Sequence, residues 1–200
     1  MTRKVPPGKP EILEQRPIMV ALAGPNGAGK STFYESQLAG LGFSFVNADV
    51  LALNAGVEPY AAAQMADMVR RELVSLEESF IFETVFSDPV GDKVEFLRAA
   101  QEVGFTVLLI FIGIDSSSLS DDRVAMRVSQ GGHDVPPVKI AERFPRVMRN
   151  LKRALVELPN VWVYDNSDLN AKYRLVALKE DGRDVELHGR TPQWLRPLLP

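Results

Sequence analysis

The chain has no cysteine, only two histidines and two tryptophans, and no apolar run longer than Phe105 to Ile114. The lack of cysteine excludes a disulfide framework, a thiolate metal site and a cysteine nucleophile together. Ten residues fall short of the roughly 20 that a membrane-spanning helix needs, so this run reads as a buried strand and no membrane is expected as a partner. An excess of one charge is missing too: 23 Lys and Arg against 26 Asp and Glu give a net charge of −3. Long-range attraction to nucleic acid or an anionic surface is therefore not the organising force. Met1 to Arg16 is polar, carries Pro6, Pro7 and Pro10, and lacks the apolar stretch of a secretory signal. A cytoplasmic enzyme or regulator is expected. What remains is an ordinary globular composition, 46% hydrophobic and 24% charged in 200 residues, enough for one domain.

Five short apolar runs alternate with helical patterns. Ile18 to Ala23, Phe43 to Val46, Ser79 to Phe82, Phe105 to Ile114 and Val161 to Tyr164 read as strands. Between them, helices are expected from Gly29 to Ala39, across Pro59 to Glu78 on Met65, Met68, Val69, Leu73 and Leu76, around Val90, Val94 and Leu97, and over Ser116 to Gln130. Ile140, Phe144, Val147, Leu151, Leu155 and Leu158 recur at amphipathic spacing, with Pro145 expected to kink or split that helix. The alternation predicts an α/β fold: a parallel five-stranded sheet with helices on both faces. Residues 1–17 read as a flexible arm, 18–170 as the main domain with a lid at about 116–150, and 171–200 as a hairpin and short helix packed on the same domain. In the tail, Asp181-Gly182 signals a hairpin and Thr191-Pro192 a last short helix.

The most specific signal is Gly24, Pro25, Asn26, Gly27, Ala28, Gly29, Lys30, Ser31 and Thr32, a GxxxxGK[ST] phosphate loop. Its glycines let backbone N–H groups approach phosphate oxygens, Lys30 reaches the β- and γ-phosphates, and the Ser31 hydroxyl ligates Mg²⁺. Accident yields such a match in roughly 1% of chains this long. An apolar strand before it and a helix after it supply the context a working loop requires. The chain has no Asn-Lys-x-Asp guanine reader, and Ser129 to Gly132 only shuffles the letters of an ABC signature. A small-molecule kinase needs a base, a substrate clamp and a lid with arginines. Asp49 after strand two and Glu83 after strand three lie at the sheet edge where ligands bind, although each is also explained as a cap or a solvated end. Arg123 and Arg127 share a helical face, and Arg143 and Arg146 follow across Gly131-Gly132-His133, as in a closing lid. The alternative is a solvated basic face with Arg149 and Arg153. Asp165, Asn166 and Ser167 lie where such kinases often hold adenine, and are equally a turn. His133 reads as a loop hydrogen-bonder, and His188 is given no role.

In this order, the phosphate loop, Asn47-Ala-Asp49, Phe82-Glu-Thr84, Arg127 with Gly-Gly-His-Asp-Val-Pro136, Arg143 and Asp165-Asn-Ser167 resemble the zeta toxin family of phosphate-loop kinases, in its zeta-like branch of predicted ATPases. The resemblance covers about Ile18 to Ser167. It implies ATP and Mg²⁺ as cofactors and phosphorylation of a hydroxyl on a UDP-N-acetyl sugar. By the same resemblance, Asp49 is the catalytic base, Lys30 holds phosphate, Arg127 and Arg143 are lid arginines, and Asn47, Glu83 and Thr84 lie on the substrate side. The sequence departs from the family pattern after Glu83. Val85 and Ser87 stand where a threonine and an arginine are expected, so the arginine that would face a sugar-nucleotide phosphate is missing. An antitoxin would be a separate chain. Two other readings remain open at this point: a nucleotide-binding regulator that phosphorylates no metabolite, and a kinase of nucleic-acid ends, for which the acidic balance is unfavourable.

Overall fold

The computed structural model describes residues 11–129 and 135–200. Strand β1 (Ile18–Ala23) is buried along its whole length and lies in the middle of the five parallel strands. It pairs in parallel with β3 (Phe80–Thr84) on one side and β4 (Thr106–Gly113) on the other. Strand β2 (Ser44–Val46) extends the sheet beyond β3, and β5 (Val161–Asp165) extends it beyond β4. These five strands match the expected parallel sheet. The sheet, however, has seven strands, in the order β2-β3-β1-β4-β5-β6-β7. The tail hairpin, β6 (Arg174–Lys179) and β7 (Glu186–Leu187), pairs antiparallel onto β5 and so continues the sheet.

Alternation along the strands sends side chains to two layers. Met19, Ala21, Phe80, Phe82, Phe111 and Val163 enter one core with Val94 and Leu97 of helix α4 (Asp92–Glu102) and Val147, Leu151 and Leu155 of α6 (Pro137–Glu157). Ile18, Val20, Leu22, Ile110, Ile112 and Tyr164 enter the other, with Phe33 and Tyr173. Of the expected arm, residues 1–10 lie outside the described residues. Glu11–Glu14 forms a 3-10 turn whose Ile12 and Leu13 are buried in the second core.

Several local expectations are corrected. The segment after the phosphate loop is helical but not uniformly α: α1 (Lys30–Phe33) passes into a π turn at Tyr34–Leu38 and a 3-10 turn at Ala39–Leu41. Helix α3 (Pro59–Ser75) does not bury the Met65, Met68, Val69 and Leu76 set, which is exposed. Ala62, Ala66 and Arg70, at four-residue intervals, face inward instead, because small side chains bring the helix close to the sheet. An unexpected helix, α2 (Ala48–Ala55), begins right after β2. Pro145 does not split α6, which runs unbroken for 21 residues. A proline removes one N–H bond there, and the buried stripe from Ile140 to Leu155 outweighs that loss. At the C-terminus a turn at Pro192 and a 3-10 turn at Arg196–Leu198 stand in place of a helix beginning at Thr191. No helix among the described residues is long and apolar enough to cross a membrane.

Candidate active site

The phosphate loop leaves the carboxyl end of β1 and is shaped by glycine. Gly24 sits at φ +146°, and a Cβ there would collide with the Ile112 carbonyl oxygen. Gly29 caps α1 at φ +90°, where a Cβ would lie 2.8 Å from both Asn166 Nδ2 and the Tyr173 hydroxyl. Only glycine fits both the backbone and the space. Helix α5 (Ser117–Ser129) leans on the same loop, with Ser120 Oγ donating to the Asn26 carbonyl.

Lys30 is buried and directed into the loop. Its Nζ donates to the Gly24 and Pro25 carbonyls at 3.1 Å each and lies 3.7 Å from Glu83 Oε1. Burial pulls its pKa below the ordinary lysine value. The Glu83 and Asp49 carboxylates oppose that shift, and the Arg127 charge adds to it. The charges of Glu83, Asp49 and Arg127 are thus all felt at Lys30.

Glu83, at the end of β3, organises the centre. Its Oε2 accepts from Ser31 Oγ and from Asn47 Nδ2, each at 3.0 Å. Asn47 in turn caps α2: its Oδ1 accepts the Asp49 backbone N–H at 2.8 Å and that of Val50 at 3.4 Å. Asn47 is thus a buried connector and not a free substrate contact, and it fixes where α2 begins. Asp49 occupies the first turn of that helix, with its side chain exposed at the mouth of the cleft. Thr84 also lines the cleft, but its hydroxyl accepts the Phe86 N–H, bracing the loop after β3. Asn150 of α6 holds the same loop through the carbonyls of Phe86 and Asp88.

The lid residues divide. Arg127 lies in electrostatic reach of Lys30. Arg123 does not aim at phosphate: its guanidinium donates to the carbonyls of Asn166 and Ser167 at 2.8 and 3.1 Å. Arg143 sits half-buried on α6, and among the described residues no hydrogen bond joins it to the loop. The Gly131-Gly132-His133 turn lies outside the described residues. Asn166, expected to meet adenine, is buried behind the loop. Its Nδ2 donates to the Ala28 carbonyl at 2.8 Å, and its Oδ1 accepts the Tyr173 N–H. With both ends of the amide engaged, Asn166 is a brace for the loop. Asp165 is similarly engaged by Ser167, Arg174 and Trp194. Arg153 of the basic face is paired with Glu95 and Glu157.

Three residues missed by the sequence reading complete the cleft. Asp67 and Arg70 of α3 and Lys93 of α4 line a cavity of ≈ 200 Å³ together with Asn47, Asp49 and Glu83. The available signal was the spacing of Ala62, Ala66 and Arg70, which marks an inward face ending in a cation. Tyr173 was missed as well. Its hydroxyl donates to the Gly29 carbonyl at 2.9 Å, tying the tail to the phosphate loop.

A mostly parallel α/β sheet with a phosphate loop after β1 defines the phosphate-loop fold. The family model described as Zeta toxin matches residues 45–177, well over half of the chain, and the protein belongs to the zeta toxin family. The match begins beyond the phosphate loop, which the fold supplies independently. Among solved structures, the AvrRxo1-ORF1:ORF2 complex with ATP matches at TM-score 0.67 and 19% identity, covering 89% of this chain and 63% of that one. This chain thus spans less than two thirds of that relative. The PezAT toxin-antitoxin system of Streptococcus pneumoniae matches at TM-score 0.56 and 18% identity, with 76% and 68% covered. A Chloroflexus aurantiacus protein matches at TM-score 0.56 and 19% identity, with 78% and 95% covered. At these identities the likeness concerns the fold. No curated protein matches the chain.

Proposed function

We propose that the protein is a cytoplasmic ATP-dependent kinase that phosphorylates a hydroxyl of a small molecule. The observation that carries this reading is the buried Lys30 of the glycine loop, 3.7 Å from Glu83, where the loop meets the cleft lined by Asp49 and Glu83. Triphosphate fits the loop because its left-handed glycines leave a cradle that a Cβ would fill. Mg²⁺ fits the donor chemistry: Ser31 Oγ and Glu83 Oε2 are hard oxygens 3.0 Å apart. Ser31 and Glu83 would hold the ion, which when bound supplies charge neutralisation for the β- and γ-phosphoryl oxygens.

In the proposed reaction Lys30 exchanges its loop carbonyls for phosphate oxygens, and Arg127 and Arg143 neutralise charge on the transferring group. The acceptor oxygen bonds to the γ-phosphorus as the bond to the β–γ bridging oxygen breaks. The acceptor's proton passes to the Asp49 carboxylate, leaving ADP and a phosphomonoester. The family resemblance makes a UDP-N-acetyl sugar the first acceptor to try. The toxin-antitoxin system among the structural relatives supports a separate antitoxin chain as the partner to seek.

Labelled ATP incubated with a metabolite extract tests the reading: a new phosphorylated small molecule is expected. Asp49→Asn should lower transfer by about 10²- to 10⁴-fold, the usual weight of a general base, while ATP binding by calorimetry stays close to wild type. Transfer by the Asn variant at the wild-type rate removes Asp49 from the role of base. Nucleotide-dependent capture of a partner with no labelled product favours the regulator instead.

A further inference from the structure

Resting on the kinase reading, we propose that the acceptor carries an anionic group, phosphate or carboxylate, that seats on Lys93 and Arg70 in place of Asp67 while its hydroxyl faces Asp49. Arg70 is 5% exposed, lies on the inward face of α3, and stands over the Phe82 ring at 5.0 Å. Its direction is therefore fixed by packing, unlike that of a solvated surface arginine. Lys93 reaches the same point from the first turn of α4, with its Nζ 2.9 Å from Asp67 Oδ1. Arg70 donates to that same oxygen. Two cations from two elements thus converge on a single carboxylate oxygen, so the group carries one surplus positive charge.

The partners differ in freedom. Asp67 has a side chain 49% exposed, whereas that of Arg70 is 6% exposed. Asp67 can rotate outward, and Arg70 cannot follow. A ligand anion that replaces Asp67 keeps the buried guanidinium paired, which a neutral ligand would not. The same cleft is lined by Asp49 and Glu83 as well as by Arg70 and Lys93, which suits a molecule that carries both a hydroxyl and a negative charge. Asp67 and Lys93 also line a second space of ≈ 580 Å³. There Arg71 and Asp92 offset each other, and Glu95 is engaged by Arg98 and Arg153. Room therefore exists for the rest of an elongated acceptor.

The test is a binding titration of the full chain, saturated with Mg²⁺ and a non-hydrolysable ATP analogue, with inorganic phosphate and separately with acetate. Wild type and Lys93→Met are compared by side-chain NMR. Lys93→Met retains the Asp67–Arg70 pair, so the fold is kept. Binding of either anion should weaken about tenfold or more in Lys93→Met and tighten several-fold in Asp67→Asn. Which anion binds tells phosphate from carboxylate. Binding of neither anion, or equal binding in wild type and Lys93→Met, overturns the proposal. Anion captured by the phosphate loop is common to both proteins and cancels in the comparison. No phosphoryl transfer is measured, so failure of the kinase reading shows separately, as absent product in the labelling experiment.

Discussion

Lys30 illustrates how much one side chain's setting decides. Motif spacing identified it, but only its burial explains its charge state: removal from water disfavours the ammonium, and Glu83 and Asp49 only partly restore it. The sign follows directly. With a folded-state pKa below the unfolded one, protonated Lys30 costs stability below its ordinary pKa, and that cost is relieved as pH rises through the lowered value. Phosphate oxygens favour the ammonium, so nucleotide binding should raise the pKa and take up protons in the window between the two values. Calorimetry of ATP binding in buffers of different ionisation heat should reveal this uptake on the alkaline side, and Lys30→Met should abolish it. Zero uptake by wild type across that window contradicts the burial argument. Asn47 and Asn166 carry a different lesson at this scale. Their motif positions were legible and their roles were not, because an amide that bridges two elements looks in sequence like one that waits for a ligand.

Among the elements, the strands were the most readable, since continuous apolar runs at the sheet centre have few alternatives. Helix α3 was the least. Met65, Met68, Val69 and Leu76 suggested an inward face, yet Ala62 and Ala66 point inward with Leu73 packed beside them, because close approach to the sheet favours small side chains. The inward position of Arg70 followed from that choice and was hidden for the same reason. In α6, Pro145 lies inside an unbroken helix, exposed and without an N–H to offer. Packing of Val147, Leu151 and Leu155 sustains the helix despite this. Pro145→Ala should restore the missing hydrogen bond and stabilise the protein by about 1–3 kcal/mol, measured as a rise in the denaturation midpoint at unchanged slope. A lowered midpoint would instead mean that the proline fits a bend the helix requires.

Across the whole molecule, the tail is part of the working structure. Strand β6 pairs with β5, Trp194 lies where a Cβ on Gly113 would collide with its ring, and Tyr173 reaches the phosphate loop. Tyr173→Phe leaves the Gly29 carbonyl without that donor. It should cost about 1 kcal/mol, close to fivefold in KM for ATP, with little change in kcat. A fall in stability with KM for ATP unchanged assigns Tyr173 to folding alone. The hairpin itself was announced by Asp181-Gly182, but its place on the sheet was not, because a turn signal specifies its two strands and not the edge they join. Local chemistry was thus sufficient, from sequence alone, for the phosphate loop and the parallel strands, since each depends on residue type at short spacing, while Asp49, Glu83 and Arg127 were named through the family resemblance. Tertiary structure alone decided that Asn166 and Tyr173 brace the loop, that Arg123 faces the chain instead of phosphate, and that Arg70 and Lys93 share a cleft with Asp49 and Glu83. Those roles depend on contacts between residues far apart in the chain, which packing of the two cores brings together.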